Sequence, residues 1–247
     1  IYANGGSGMF VVDSKNSTNF INSVQKLYQE KTITGSISGT SIELPDDNDI
    51  QNCRKNLTYR LRICKDSNPK SKPVVSHSYL RSCDSCGEEY AVDRHPIDDD
   101  LLCQSCLNKR EKDEEIKEEI EKLIKANIDI DRRKLWHRLI DDLRDMDYPL
   151  SDRRRPTDFD ELGINSTPTN YMGLIYADGN NMGKQLKRIE NLDKLKEFSE
   201  SVDEAIYYSV LTAINEHLKP YTEVLPFDIL LLGGDDLVMV TTAEKVI

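Results

Sequence analysis

Near its C-terminal end the chain reads Phe227-Asp228-Ile229-Leu230-Leu231-Leu232, then Gly233-Gly234-Asp235-Asp236, then Leu237-Val238-Met239-Val240. Two apolar runs of strand length joined by so short a polar break leave the backbone one economical solution, a β-hairpin with its turn at the glycines. Glycine accepts the positive φ that tight hairpin turns demand, and its missing side chain leaves room for a ligand against the backbone. Gly and Asp also dominate ordinary turns, so the motif alone does not define a site.

A second segment changes its meaning. Residues 171–177 form a short apolar run with strand character that delivers the chain to Asp178-Gly179-Asn180-Asn181-Met182-Gly183-Lys184. Residues 186–218 then show helical periodicity, with Leu195, Phe198, Val202, Ile206, Val210 and Ile214 on one face. Strand, helix and hairpin in this order are the opening half of a ferredoxin-like unit, in which the first strand lies beside the hairpin. Asp178, Asp235 and Asp236 then converge on one edge of the sheet. Carboxylates so placed supply the hard oxygen ligands that Mg²⁺ or Mn²⁺ needs, and phosphoryl or nucleotidyl transfer needs those ions. Gly179, Asn180 and Asn181 lead into a helix whose first N–H groups are placed to receive phosphate oxygens, with Lys184 one turn further on.

The N-terminal region repeats part of this plan. Residues 1–12 read as a hairpin around Asn4-Gly5-Gly6-Ser7-Gly8, residues 17–31 as a helix with Phe20, Val24 and Leu27 at helical spacing, and residues 32–44 as a strand rich in Thr, Ile and Ser. Hairpin, helix and strand are the closing half of a ferredoxin-like unit. Residues 49–64 read as a further helix, 65–73 as a Ser/Pro/Lys-rich connector, 108–127 as a solvated amphipathic helix, and 151–169 as a polar loop between domains.

Between these halves lie Cys83-x-x-Cys86 and Cys103-x-x-Cys106, the pairs separated by sixteen residues. That spacing allows two knuckles to meet around one tetrahedral Zn²⁺, and four thiolates fill its coordination sphere, so the ion is expected to be structural. His95 lies between the pairs without being needed. Cys53 and Cys64 read as packing residues on a helix, and His77, His137 and His217 have no accompanying ligand pattern.

The formal net charge of −11 argues against a generalised electrostatic grip on nucleic acid, leaving Arg132-Arg133-Lys134 and Arg153-Arg154-Arg155 as the basic clusters for local contact. No stretch approaches the ~18 apolar residues of a membrane span, and paired cysteines of this kind fit a reducing compartment, so a cytoplasmic location is expected. The first residue is Ile1, and the chain is expected to be part of a longer protein.

Asp178-Gly179-Asn180-Asn181-Met182-Gly183-Lys184 together with Gly233-Gly234-Asp235-Asp236 resembles the second palm domain of the large subunit of type III CRISPR effector complexes, a relative of GGDEF-type nucleotide cyclases. The resemblance covers nearly the whole chain, because that family has two palm domains with a zinc-binding region between them. It implies an α+β fold with a degenerate, partial first palm at 1–64, a zinc-binding and helical module at 65–150, and a GGDD-bearing second palm at 151–247. It further implies synthesis of cyclic oligoadenylate from ATP in an RNA-guided antiviral complex. Asp178 and Asp235 would bridge two divalent ions, with Asp236 as a second ligand or hydroxyl-orienting group, and the nucleotide would contact Gly179, Asn180, Asn181, Lys184, Gly233 and Gly234. Guide and target RNA would be held mostly by the other subunits. The N-terminal turn has no carboxylate, so Gly5 and Gly6 are expected to cradle a second nucleotide without metal.

One departure from the family pattern is Asn180, where a second Asp is expected two positions after Asp178. Two alternatives remain open: an assembly subunit whose palm site is vestigial, and a GGDEF-like synthase of cyclic dinucleotides.

Overall fold

The computed structural model describes residues 2–4, 7–44, 49–67, 79–96, 98–125 and 130–246. In chain order its elements are β1 (Tyr2–Asn4), β2 (Ser7–Met9), α1 (Ser17–Thr32), α2 (Ile50–Ser67), β3 (Asp93–Arg94), β4 (Leu101–Leu102), α3 (Gln104–Lys125), α4 (Leu135–Asp145), α5 (Phe159–Ile164), β5 (Met172–Ala177), α6 (Met182–Leu186), α7 (Leu192–His217), β6 (Phe227–Gly233) and β7 (Asp236–Thr242). Helices predominate and the sheets are small, an α+β arrangement. Among the described residues no helix is long and apolar enough to cross a membrane. The chain forms two compact units, one of Ile1–Met9, Glu115–Arg188 and Leu192–Ile247, the other of Phe10–Glu114 and Ile189–Asn191.

The first unit is organised by a three-stranded sheet of order β5-β7-β6, with β7 antiparallel to both neighbours. β5 and β6 therefore run parallel on either side of β7, which requires the helical crossover that α6 and α7 supply. One face of this sheet is covered. Ile175, Ile229, Leu232, Leu237 and Met239 pack with Tyr207, Val210, Leu211 and Ile214 of α7, with Ile120, Leu123 and Ile124 of α3, and with α4.

Helix α4 joins that core through Trp136, Leu139, Ile140 and Leu143, the last three fully buried, at the i, i+3, i+4, i+7 spacing of an apolar stripe. Truncating any of the three to Ala would cost about 2–5 kcal/mol. The exposed flank of α3 is held by i,i+4 pairs, Glu118 with Lys122 and Glu121 with Lys125, each worth only a few tenths of a kcal/mol.

The region read as a polar loop, 151–169, contains a helix. Asp158 caps α5 by accepting from the Glu161 N–H at 2.8 Å, and the Glu161 carboxylate reaches back to the Thr157 N–H at 2.8 Å. The periodic stretch 186–218 is likewise divided, because α6 ends at Leu186 and α7 starts at Leu192.

In the second unit, α1 and α2 form where helices are expected. Residues 33–44 do not form the expected strand. Thr and Ile favour strands only where a neighbouring strand completes the ladder, and here the segment is tied by other means. Ile33 has φ of 63°, Gln25 donates to the Ile37 carbonyl at 3.1 Å, and Arg60 donates to that of Ser41 at 3.3 Å. Gly39 lies against Ile21, whose Cγ2 would stand 2.7 Å from a Cβ at that position. The N-terminal hairpin, which belongs to the first unit, does form, with Asn4 paired to Ser7 and Tyr2 to Met9. Gly5 and Gly6, and also His77, lie outside the described residues.

Candidate metal centres

The sheet register brings the three aspartates together. Ala177 pairs with Leu237, so Asp178 leaves β5 beside the start of β7, and Gly233 pairs with Asp236 to close a two-residue turn of Gly234 and Asp235. Gly234 is buried with φ of +63°, the left-handed conformation that a hairpin turn asks of its first central residue. One carboxylate oxygen from each of Asp178, Asp235 and Asp236 lies within 4.8 Å of the other two. The Asp236 carboxyl is pushed above its ordinary range, first by partial loss of solvent and then by hydrogen bonding to Asp178 and the charges of Asp235 and Asp178. Like charges held this close favour a cation between them, and an all-carboxylate oxygen set fits Mg²⁺ or Mn²⁺.

Gly179 is what permits the convergence. A Cβ built on it would stand 2.6 Å from Asp235 Cβ and 2.8 Å from Asp235 Oδ2. Downstream, Asn180, Asn181 and Lys184 are exposed, and Asn181 takes a left-handed φ of 64° while its carbonyl accepts from the Lys184 and Gln185 N–H groups. The helix they open, α6, is only five residues long, so its dipole adds less to phosphate binding than a long helix starting here would.

The second cluster is Cys83, Cys86, Cys103 and Cys106, whose sulfurs all lie within 4.8 Å of one another, with Cys86 Sγ 3.9 Å from Cys103 Sγ. A tetrahedral ion with Zn–S bonds of about 2.3 Å requires sulfurs about 3.8 Å apart. The first pair sits in a knuckle where Gly87, φ +69°, donates to the Cys83 carbonyl at 3.0 Å. The second pair straddles the end of the β3–β4 hairpin and the first turn of α3. The Asp84 carboxylate joins the two halves, accepting from Arg81 at 2.9 Å and from the Leu101 N–H at 2.8 Å. Burial pushes the Cys83 thiol up, but N–H groups of Cys103, Cys86 and Ser85 outweigh it and bring the thiol down to about 6, while burial lifts Cys103 to about 12. A cluster that stabilises one thiolate and buries three of its four cysteines, Cys86 being exposed, suits a structural ion.

His95 is not part of this cluster. Its Nδ1 bonds to Asp98, and its Nε2 lies 3.5 Å from Glu114. His137 bridges two elements, its Nδ1 accepting from the Asp131 N–H and its Nε2 donating to Glu119 at 3.0 Å. Cys53 is buried and Cys64 half-buried on α2, both outside the cluster.

Five of the six residues of the two basic clusters meet acidic neighbours. Arg132 pairs with Asp141 and Asp142, Arg133 with Asp131, and Lys134 with Glu119. Arg154 binds Glu161, and Arg155 is buried, donating to both oxygens of Asp228 at 2.8 and 2.9 Å while its guanidinium lies 4.4 Å over the Trp136 ring. In an acidic chain each of these five side chains has a carboxylate within reach, which offsets part of its charge.

The outer face of the β5-β7-β6 sheet went unread in the sequence. Strand β5 is apolar at nearly every position, so alternation gives no contrast between its faces, yet Leu174 and Tyr176 are 59% and 66% exposed. Comparison with protein-family models and with curated proteins finds no match for this chain.

Proposed function

We propose that Asp178, Asp235 and Asp236 form the metal site of a nucleotidyl-transfer centre acting on ATP. The observation that supports this reading is the meeting of three carboxylates, from two adjacent strands, within 4.8 Å at the glycine turn. Two divalent ions held there would supply charge neutralisation for an α-phosphate as pyrophosphate departs. The chain's own contribution is positional. Asp178, Asp235 and Asp236 would hold the ions, Asp236 alternatively orienting the attacking 3′-hydroxyl. Gly179 leaves room for Asp235 to close on Asp178, Gly233 and Gly234 would leave the turn open to phosphate and ribose, and the exposed Asn180, Asn181 and Lys184 would contact the nucleotide.

The resemblance to the large subunit of type III CRISPR effector complexes extends this reading to cyclic oligoadenylate as product and to a ribonucleoprotein as setting, with a palm-type domain and a zinc module of Cys83, Cys86, Cys103 and Cys106 in one chain. Guide and target RNA then belong mainly to partner subunits, in keeping with a net charge of −11 and paired basic clusters. One observation favours the assembly-subunit alternative: Asn180 leaves Asp178 as the sole carboxylate of the first loop, which lowers the charge available to hold metal. Incubating the protein, alone and in complex with its partners, with ATP and Mn²⁺ and resolving the products by mass spectrometry tests the reading. Cyclic oligoadenylate and pyrophosphate from wild type and none from Asp235→Ala/Asp236→Ala support it; no product from any preparation favours the assembly role.

A further inference from the structure

The outer face of the β5-β7-β6 sheet continues directly from the three carboxylates. Asp236 and Val238 are two apart on β7 and share a face, as do Tyr176 and Asp178 along β5. Tyr176 is paired with Val238, and Val238 is also paired with Leu231 on β6. Tyr176, Val238 and Leu231 therefore lie side by side across the sheet, one step of about 7 Å from the aspartates.

An irregularity widens this surface. Ile229 and Leu232 both pack into the core although they are three residues apart, which a strand of period two cannot achieve without an extra residue. The register shift between Ile229 and Leu231 supplies it. Its consequence is that Leu230 and Leu231 both turn outward, 48% and 46% exposed, beside Tyr176 at 66% and Leu174 at 59%. A solvent-facing apolar shelf flush with a cluster of carboxylates is costly to keep unless something apolar lies on it while something anionic meets a cation next door. A nucleotide has that division, a flat base joined through ribose to its phosphates.

Resting on the proposed nucleotide site, we infer that Tyr176 is the base-stacking residue of that site, with Leu231 and Val238 completing the shelf on which the purine lies while its phosphates reach the cation that Asp178, Asp235 and Asp236 would hold. Stacking of a base on an aromatic ring is worth about 1–3 kcal/mol, which corresponds to roughly 5- to 150-fold in affinity. The phenol hydroxyl is not required for it, and the triphosphate alone should not sense it.

Calorimetry with Mn²⁺ and either ATP or inorganic tripolyphosphate, on wild type, Tyr176→Ala and Tyr176→Phe, separates these contributions. The expected result is ATP affinity at least fivefold weaker in Tyr176→Ala, within about twofold of wild type in Tyr176→Phe, and tripolyphosphate affinity equal in all three. ATP binding that ignores Tyr176→Ala while still requiring Asp235 and Asp236 overturns the stacking role and leaves the metal site standing, freeing the shelf for a protein partner. Equal loss of ATP and tripolyphosphate in Tyr176→Ala would mark a structural role and also overturn it. Wild type that binds neither ligand would remove both proposals.

Discussion

Gly179 and Asp235 touch across the strand end: a Cβ on the glycine would lie 2.6 Å from Asp235 Cβ and 2.8 Å from its Oδ2. Since a Cβ cannot approach another atom that closely, Gly179→Ala must push the Asp235 turn outward. The clash is local and the site is exposed, so the fold should survive. We expect a thermal midpoint within a few degrees of wild type and Mn²⁺ affinity reduced about tenfold, equivalent to about 1.4 kcal/mol, read by calorimetry. Unchanged affinity would mean that the turn yields without moving the carboxylate.

The buried pair Arg155–Asp228 makes a different kind of prediction. Both side chains are over nine-tenths buried, and the guanidinium is further enclosed by Trp136, itself stacked on Phe227 at 6.0 Å. Asp228→Ala removes the carboxylate that accepts from the buried Arg155 guanidinium and should cost about 3–5 kcal/mol, whereas replacing both residues by apolar ones of similar volume should cost far less. Urea unfolding of the single and double variants reads the difference.

Acid sensitivity should trace partly to Glu161. Its hydrogen bond from Arg154 comes first, and with those from Thr157 it holds the carboxyl at about 2 against the bonding-free value of 4.5. A depressed folded-state pKa contributes stability that is complete above about 4.5 and is lost as pH falls towards 2. We expect Glu161→Gln to cost about 2 kcal/mol at pH 7, with the gap to wild type narrowing steadily below pH 4.5 in urea titrations. A gap constant with pH would place the effect elsewhere.

For the cysteine cluster, the protein should contain one equivalent of zinc, released by a strong chelator, and Cys103→Ser should lose it. Because Cys83, Cys103 and Cys106 form a small core with Leu102 and Leu107, zinc loss should loosen that region, seen as faster amide exchange over residues 83–107. Retention of full protection without zinc would show that the apolar contacts suffice.

Much of this was legible from spacing alone. The two Cys-x-x-Cys pairs and the carboxylates around the glycine turn meet as their positions in the sequence imply, because short motifs between regular elements fix their own geometry. Residues 33–44 misled because Thr and Ile describe a strand's surface but cannot provide its neighbour. The stripe Trp136, Leu139, Ile140 and Leu143 was readable by period, but α4 is only eleven residues and lies among Arg and Asp residues that mask it. Arg155 and Asp228 are 73 residues apart, and the outward turn of Leu230 and Leu231 depends on a register shift; neither long-range pairing nor a bulge leaves a local signature.

Calorimetry of ATP binding in the presence of Mn²⁺, on wild type and on Asp235→Ala/Asp236→Ala, bears most directly on the proposed centre. Mn²⁺-dependent binding by wild type that disappears in the variant, with both proteins equally folded, is the predicted result. Equal binding by both proteins, or none by wild type, would contradict it.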